Sequence, residues 1–280
     1  MNKIKIIADT SADFTKEEAR AMNLAYVPFT IDAGDTTYID DDKLDLDALY
    51  TDMKASVDPV RTGCPSPFLY KEAILASGAD EIFVVTITAK LSGSYNAAKT
   101  AVEEIQKQHP EKKIALIDSK SASAGTANLV SLIHKRAEEG KDFDAIEKEV
   151  RAFAEEQATF FILETMDNLI KNGRIPKMAG KAVNVLNMKP IMCAEDGAIS
   201  LFQINRGFKK SLAKLAKEVI KINAERSVQF ITISHSHAEE KAKLFKNYIQ
   251  DEIHSATIRI VQTKGLSSVY ADFGGIVVAL

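Results

Sequence analysis

Short β-branched runs alternate with longer stretches of helical apolar spacing along this 280-residue chain. That alternation constrains the fold more than any other feature, because it is the pattern of a sheet with helices packed on its faces. Ile4-Lys5-Ile6-Ile7-Ala8 opens the series as a strand, and Thr15 followed by Glu18 makes a capping box for a short helix. Tyr26 to Ile31 reads as a second strand, and Leu46 to Ser56, with Asp45 as N-cap, as a helix. After the turn Thr62-Gly63-Cys64-Pro65, Ser66 and Pro67 mark a helix start that should reach about Ala76. Ile82 to Ile87 is apolar on both faces, as a strand covered from two sides requires. A helix carrying Ala97, Ala98, Ala101, Val102 and Ile105, a strand from Ile114 to Ile117 and two further helices follow.

The rhythm changes beyond about residue 155. Thr159 to Leu163 reads as a strand and Met166 to Lys171 as a short helix. Lys189 to Ala194 and Ile199 to Asn205 flank Glu195-Asp196-Gly197, the strongest hairpin signal in the chain. A long helix with Phe208, Leu212, Leu215, Val219 and Ile220 at helical spacing comes next, then strand, helix, strand and an apolar tail. The expected fold class is therefore α/β. A three-layer N-terminal domain with a parallel sheet occupies 1–155, and a smaller α/β domain with a mixed or antiparallel sheet occupies 156–280.

Thirty-six basic against thirty-nine acidic side chains leave a net charge of -3, so no overall positive field exists to gather phosphate backbones, and nucleic acid is not an expected partner. Cys64 and Cys193 are far apart and without metal-ligand spacing, which fits a reducing compartment. Met1-Asn2-Lys3 and the short run after it do not resemble a signal peptide, and the apolar runs fall short of a membrane span; the expected location is cytoplasmic.

In open α/β sheets ligands sit beyond the carboxyl ends of the strands, so the informative polar residues are those just after each strand. Asp9-Thr10-Ser11, Thr62-Gly63, Ser92-Gly93-Ser94 and Asp118-Ser119 all qualify, and the Ser92 turn leads into a helix whose N-terminal N–H groups attract an anion. Two such turns converging would hold a carboxylate or phosphate; the plainer reading is that the hydroxyls only cap helices. Neither a Walker loop, nor G-x-G-x-x-G after the first strand, nor a G-x-S-x-G elbow is present. Arg174 follows a glycine helix stop, which puts it on a loop facing either a ligand or loop carbonyls. Arg206 opens the long helix, where a cation is disfavoured by the dipole and better used on an anion or a partner. His235-Ser236-His237 with Glu239-Glu240 lacks metal-site spacing and reads as a solvated strand end; Asp40-Asp41-Asp42 reads as a solvated loop.

Taken in order, these segments resemble the DegV family, whose members include the fatty-acid-binding subunit of the bacterial fatty acid kinase. Ile7-Ala8-Asp9-Thr10-Ser11-Ala12-Asp13 is similar to the family's first strand and acidic turn, Val27-Pro28-Phe29 and Tyr38-Ile39-Asp40 to its next segment. Thr62-Gly63-Cys64-Pro65-Ser66 and Leu91-Ser92-Gly93-Ser94-Tyr95 match its two hydroxyl turns. Ile117-Asp118-Ser119, Asn172-Gly173-Arg174-Ile175 and Asn187-Met188-Lys189-Pro190-Ile191 then follow. The resemblance implies a two-domain carrier that closes over one long-chain fatty acid, with no catalytic residue, metal or cofactor of its own. It implies Thr62, Ser92, Gly93, Ser94 and Tyr270 at the carboxylate, with Arg174 and Arg206 toward headgroup or partner. An ATP-dependent fatty acid kinase is the implied partner, and transient membrane contact is compatible with such a carrier. The family's tail carries a histidine where Tyr270 stands here; Gly63-Cys64 and Asn172 are further departures. A phenol still donates to a carboxylate, but it lacks the charge switch of imidazole.

Two other classes fit the same turns less fully. One is an enzyme using Ser92 or Asp9 on a small phosphorylated or carboxylated metabolite, although the motifs place no histidine beside them. The other is a scaffold that docks through Lys209, Lys210, Lys214, Lys217 and Lys221 on the long helix.

Overall fold

The computed structural model describes residues 4–175 and 187–280; the opening Met1-Asn2-Lys3 lies outside them. In chain order the first elements are β1 (Ile4–Asp9), α1 (Lys16–Ala21), β2 (Leu24–Val27), β3 (Thr30–Ala33), β4 (Thr36–Ile39), α2 (Leu46–Ala55) and β5 (Arg61–Gly63). Then come α3 (Pro67–Ala76), β6 (Glu81–Thr86), α4 (Ser94–Gln108), β7 (Lys113–Asp118), α5 (Ala124–Glu138) and α6 (Phe143–Glu156). The second half holds β8 (Thr159–Ile162), α7 (Asp167–Lys171), β9 (Ile191–Glu195), β10 (Ala198–Gln203) and, as α8, Phe208–Arg226. It ends with β11 (Phe230–His235), the helix Glu239–Ile249 as α9, β12 (Thr257–Gln262), the helix Gly265–Ala271 as α10, and β13 (Ile276–Ala279).

Three sheets form. β2-β1-β6-β7 is parallel throughout, as the alternation of short strands and helices predicts. β10-β9-β8-β13-β11-β12 is mixed, with β11 and β12 its parallel pair. A small antiparallel sheet, β4-β3-β5, was not expected from the sequence. It exists because the single strand read over Tyr26 to Ile31 is broken at Pro28, which has no N–H for a ladder. Phe29 N donates to Thr10 Oγ1 (3.2 Å) while its carbonyl accepts from Asp40 N (2.9 Å), so the chain leaves the parallel sheet there and joins another at Thr30.

The tail read as merely apolar is also corrected. It supplies α10 and then β13, which is inserted antiparallel between β8 and β11 and buried along its whole length. The hairpin forms over the expected turn: Asp196 (φ 46°) and Gly197 (φ 78°) are both left-handed, the geometry of a two-residue type I′ connection. A Cβ at Gly197 would overlap Thr88 Oγ1, so the bare glycine lets the hairpin tip seat against the loop after β6. Lys120 Nζ, 3.0 Å from Asp196 and 2.6 Å from Glu155, adds an ionic contact beside it.

Helix α5 joins the two large sheets. Its first seven residues, Ala124 to Val130, are all buried, and it packs against β1 and β6 on one side and β11 and β13 on the other. A helix enclosed in this way needs small residues rather than one apolar stripe, as its Ala-Gly-Thr-Ala opening shows. At its start Ser121 Oγ and Thr159 Oγ1 share a 2.7 Å hydrogen bond between the loop after β7 and the first residue of β8. A Cβ on Gly125 would overlap Ser121 and lie 2.8 Å from Thr159 Oγ1. Gly125→Ala is therefore expected to destabilise by about 1–3 kcal/mol, against the gain that alanine ordinarily gives inside a helix. Urea denaturation checks this; an unchanged or raised midpoint refutes it.

Candidate functional site

A cavity with a solvent-accessible volume of about 180 Å³ lies where the carboxyl ends of β1, β6 and β7 face the mixed sheet and α10. Ser11, the Ile87–Gly93 turn and Ser121 to Ser123 line it from the parallel-sheet side, the position that open α/β sheets favour for a ligand. Its walls are mainly apolar. Phe29, Ile87, Leu91 and Leu266 form one side, and Phe161, Leu163, Leu169 and Ile199 the other.

Thr62, Ser92, Gly93, Tyr270 and Arg174 all line this cavity, so the structure brings together residues from four separate segments. Thr62 Oγ1 and Tyr270 Oη are 2.8 Å apart. Each hydroxyl has one proton; their mutual bond uses one of the two and leaves the other to point into the cavity. Ser92 Oγ accepts from Ser94 N (3.2 Å) and keeps its own proton for a ligand. Of the hydroxyls expected at a carboxylate, Ser92 and one of the Thr62–Tyr270 pair thus keep a proton, beside Gly93, the N-cap of the fifteen-residue helix α4. The first-turn N–H groups of that helix make its end electropositive. Arg174 donates Nε to the Leu91 carbonyl (2.9 Å) and Nη1 to the Asn172 carbonyl (2.6 Å), so it ties loops while its charge borders the cavity. Cys64, called only a departure from the family pattern above, also lines the cavity.

Tyr270 packs against three apolar clusters at once, which orients its ring. Its helix is anchored by Asp40, whose two oxygens accept from Gly265 N (2.8 Å) and Leu266 N (2.9 Å). Asp40 is 1% exposed, and this corrects the reading of Asp40 as part of a solvated loop. The cause is long-range: the N–H groups that hold it lie 225 and 226 positions away in sequence.

Two expected site residues lie elsewhere. Ser94 is fully buried behind the cavity lining, where its Oγ donates to Asp9 Oδ2 (2.6 Å) and therefore accepts from Tyr70 Oη (2.6 Å). Its proton is committed to Asp9, leaving none for a ligand. Asp9 also accepts from Ser11 and Ile87 N, and burial pushes its pKa up. Arg206 is exposed just before α8, outside the cavity lining. The solvated strand end expected at His235-Ser236-His237 is corrected as well. His235 is buried and accepts from Ala238 N, burial lowering its pKa; Ser236 bonds Tyr50; only His237 is exposed, edge-on to Tyr50. Among the described residues no group of three or more His, Cys, Asp or Glu could hold a metal, and no helix is long and apolar enough to cross a membrane.

A family model described as an uncharacterised protein of the DegV family matches residues 3–280. A DegV domain-containing protein of Streptococcus gordonii is 36% identical over 275 residues, 97% of this chain and 96% of that protein. Two solved structures superpose with TM-scores of 0.92. One is a DegV family protein of Ruminococcus gnavus refined with vaccenic acid, 34% identical with 100% of each chain covered. The other is the fatty acid kinase B3 protein of Streptococcus pneumoniae loaded with linoleic acid, 35% identical with 99% of this chain and 98% of that one covered.

A second buried acid beside the cavity has a measurable consequence. Asp13 accepts from Ser123 Oγ and Lys264 N, yet burial raises its pKa to about 6. An unfolded aspartate titrates near ~3.9, so between about pH 4 and 6 the folded chain holds the proton more tightly and ionisation of Asp13 erodes stability as pH rises. Asp13→Asn keeps an oxygen for Lys264 N and removes the charge. Its stability relative to the wild type should rise by about 2–3 kcal/mol from pH 4 to 7. Paired urea titrations across that range check it; a constant difference would show that Asp13 does not titrate there.

Proposed function

We infer the function from one premise, that this chain belongs to the DegV family: it binds a single long-chain fatty acid, with the acyl chain in the apolar cavity and the carboxylate on the hydroxyl pair Thr62–Tyr270 and on Ser92. The observation that carries this is the pairing of Thr62 with Tyr270 in the wall of a mainly apolar cavity that Ser92 also lines. A carboxylate has two oxygens to satisfy, and Ser92 and the Thr62–Tyr270 pair each keep one O–H for them. At about 0.8 kcal/mol per buried methylene, a chain of roughly 16 carbons supplies most of the driving force. The donors offset dehydration of the acid group and fix which end of the ligand lies there.

We assign it no catalytic step. No histidine lines the cavity among the described residues, and both Asp9 oxygens are held by Ser11, Ile87 and Ser94, so Ser92 has no base beside it. In our reading the protein is a cytoplasmic carrier whose two halves, divided at about residue 155, enclose the ligand. A partner kinase would act on the carboxyl group at the Ser92 and Thr62 end.

Denaturing mass spectrometry of solvent extracts from the purified protein should release one fatty acid per chain; recovery of none, with no uptake of added acid, refutes the reading. Thr62→Val, Tyr270→Phe and Ser92→Ala should each weaken retention by about 1–3 kcal/mol while the chain still folds. Ser94→Ala should instead lower the melting temperature, because it strips the buried Asp9 of a donor.

A further inference from the structure

The paired hydroxyls of Thr62 and Tyr270 are carried by short elements that no ladder or helix joins. Thr62 is the middle residue of β5, a three-residue strand at the edge of the small sheet, paired only with β3. Tyr270 lies on the seven-residue helix α10, a length with little stability of its own. Both of these elements are reached from one place, the short helix α7.

Asn168 and Asn172 sit four positions apart, on one face of that helix and at its C-cap. Asn168 Nδ2 donates to the carbonyl of Val269 (2.8 Å), the residue before Tyr270. Val269 is in the last turn of α10, where a helical carbonyl has no partner within its own helix. Asn172 Nδ2 donates to the carbonyl of Val60 (2.9 Å), two residues before Thr62, and back to the carbonyl of Asn168 (2.9 Å). The helix itself is held by Met166, Leu169 and Ile175, which are buried in one apolar cluster with Leu163 and Ala271. It is thus a fixed frame from which two amide arms reach the backbones that carry the two hydroxyls.

We propose that Asn168 and Asn172 are positioning residues that set the Thr62–Tyr270 separation, and through it the preference of this site for a carboxylic acid over an uncharged headgroup on the same chain. The proposal rests on the fatty-acid reading above. A hydrogen bond to a charged oxygen weakens steeply when its donor moves by about 1 Å, whereas contacts of an acyl chain with an apolar wall tolerate that displacement. Loss of either amide leaves a carbonyl unsatisfied and frees its short element to shift. The acid should suffer and an alcohol of equal length should not.

Titration of the delipidated full chain with hexadecanoic acid and with hexadecan-1-ol tests this in the wild type, Asn168→Leu and Asn172→Leu. In each variant the affinity for the acid should fall about tenfold, and that for the alcohol should stay within about twofold. Asn172→Gln, which keeps the amide on a longer arm, should recover part of the loss. Asn168→Asp and Asn172→Asp, which keep the shape without the donor, serve if a leucine form does not fold. Parallel weakening of both ligands would mean a purely structural role, and unchanged affinity for both would mean none; either overturns the proposal. A wild type that binds neither ligand would instead remove the carrier reading, and the proposal with it.

Discussion

A 2.8 Å hydrogen bond between Thr62 and Tyr270 lies in the cavity wall, and the surrounding structure holds both of its partners. One end hangs on a three-residue edge strand, the other on a seven-residue helix of about two turns. Asp40 holds the start of that helix and Asn168 its last turn, while Asn172 holds the strand. Every one of these supports is a side chain meeting backbone, because short elements expose backbone groups that longer ones would satisfy internally.

The chemistry at this part of the wall consists of neutral donors. Hydroxyls place a proton where an anion's oxygen can take it without bringing a full charge into an apolar interior, which would be costly unless paired. Their inventory is small enough to follow atom by atom. Ser94 gives its proton to Asp9, the Thr62–Tyr270 pair uses one of its two, and Ser92 keeps its own. Arg174 contributes charge at the border while its hydrogen bonds go to the carbonyls of Leu91 and Asn172.

Behind the cavity lie three buried carboxylates, Asp9, Asp13 and Asp40, each accepting hydrogen bonds from loops that follow strands or begin helices. Burial raises the pKa of all three. They order the loops from which Ser11 and Ser123 reach the cavity and the start of the helix that carries Tyr270, and the fold bears their desolvation in return.

What the sequence determined by itself was whatever depends on neighbours along the chain. The alternation of strand and helix, the Asp196-Gly197 turn with its two left-handed residues, and the N-caps at Thr15, Asp45 and Ser66 are all local choices of backbone conformation. The ordered hydroxyl turns at Thr62 and Ser92 were legible for the same reason. Only the tertiary structure decided that Tyr270 stands against Thr62, that Asp40 is buried under a helix start far along the chain, that Ser94 turns away to Asp9, and that the tail becomes β13 inside the mixed sheet. These outcomes join residues 41 to 226 positions apart, where no periodicity or spacing carries information. A hydroxyl or carboxylate reads the same in sequence whether it meets water or a partner, and packing alone settles which.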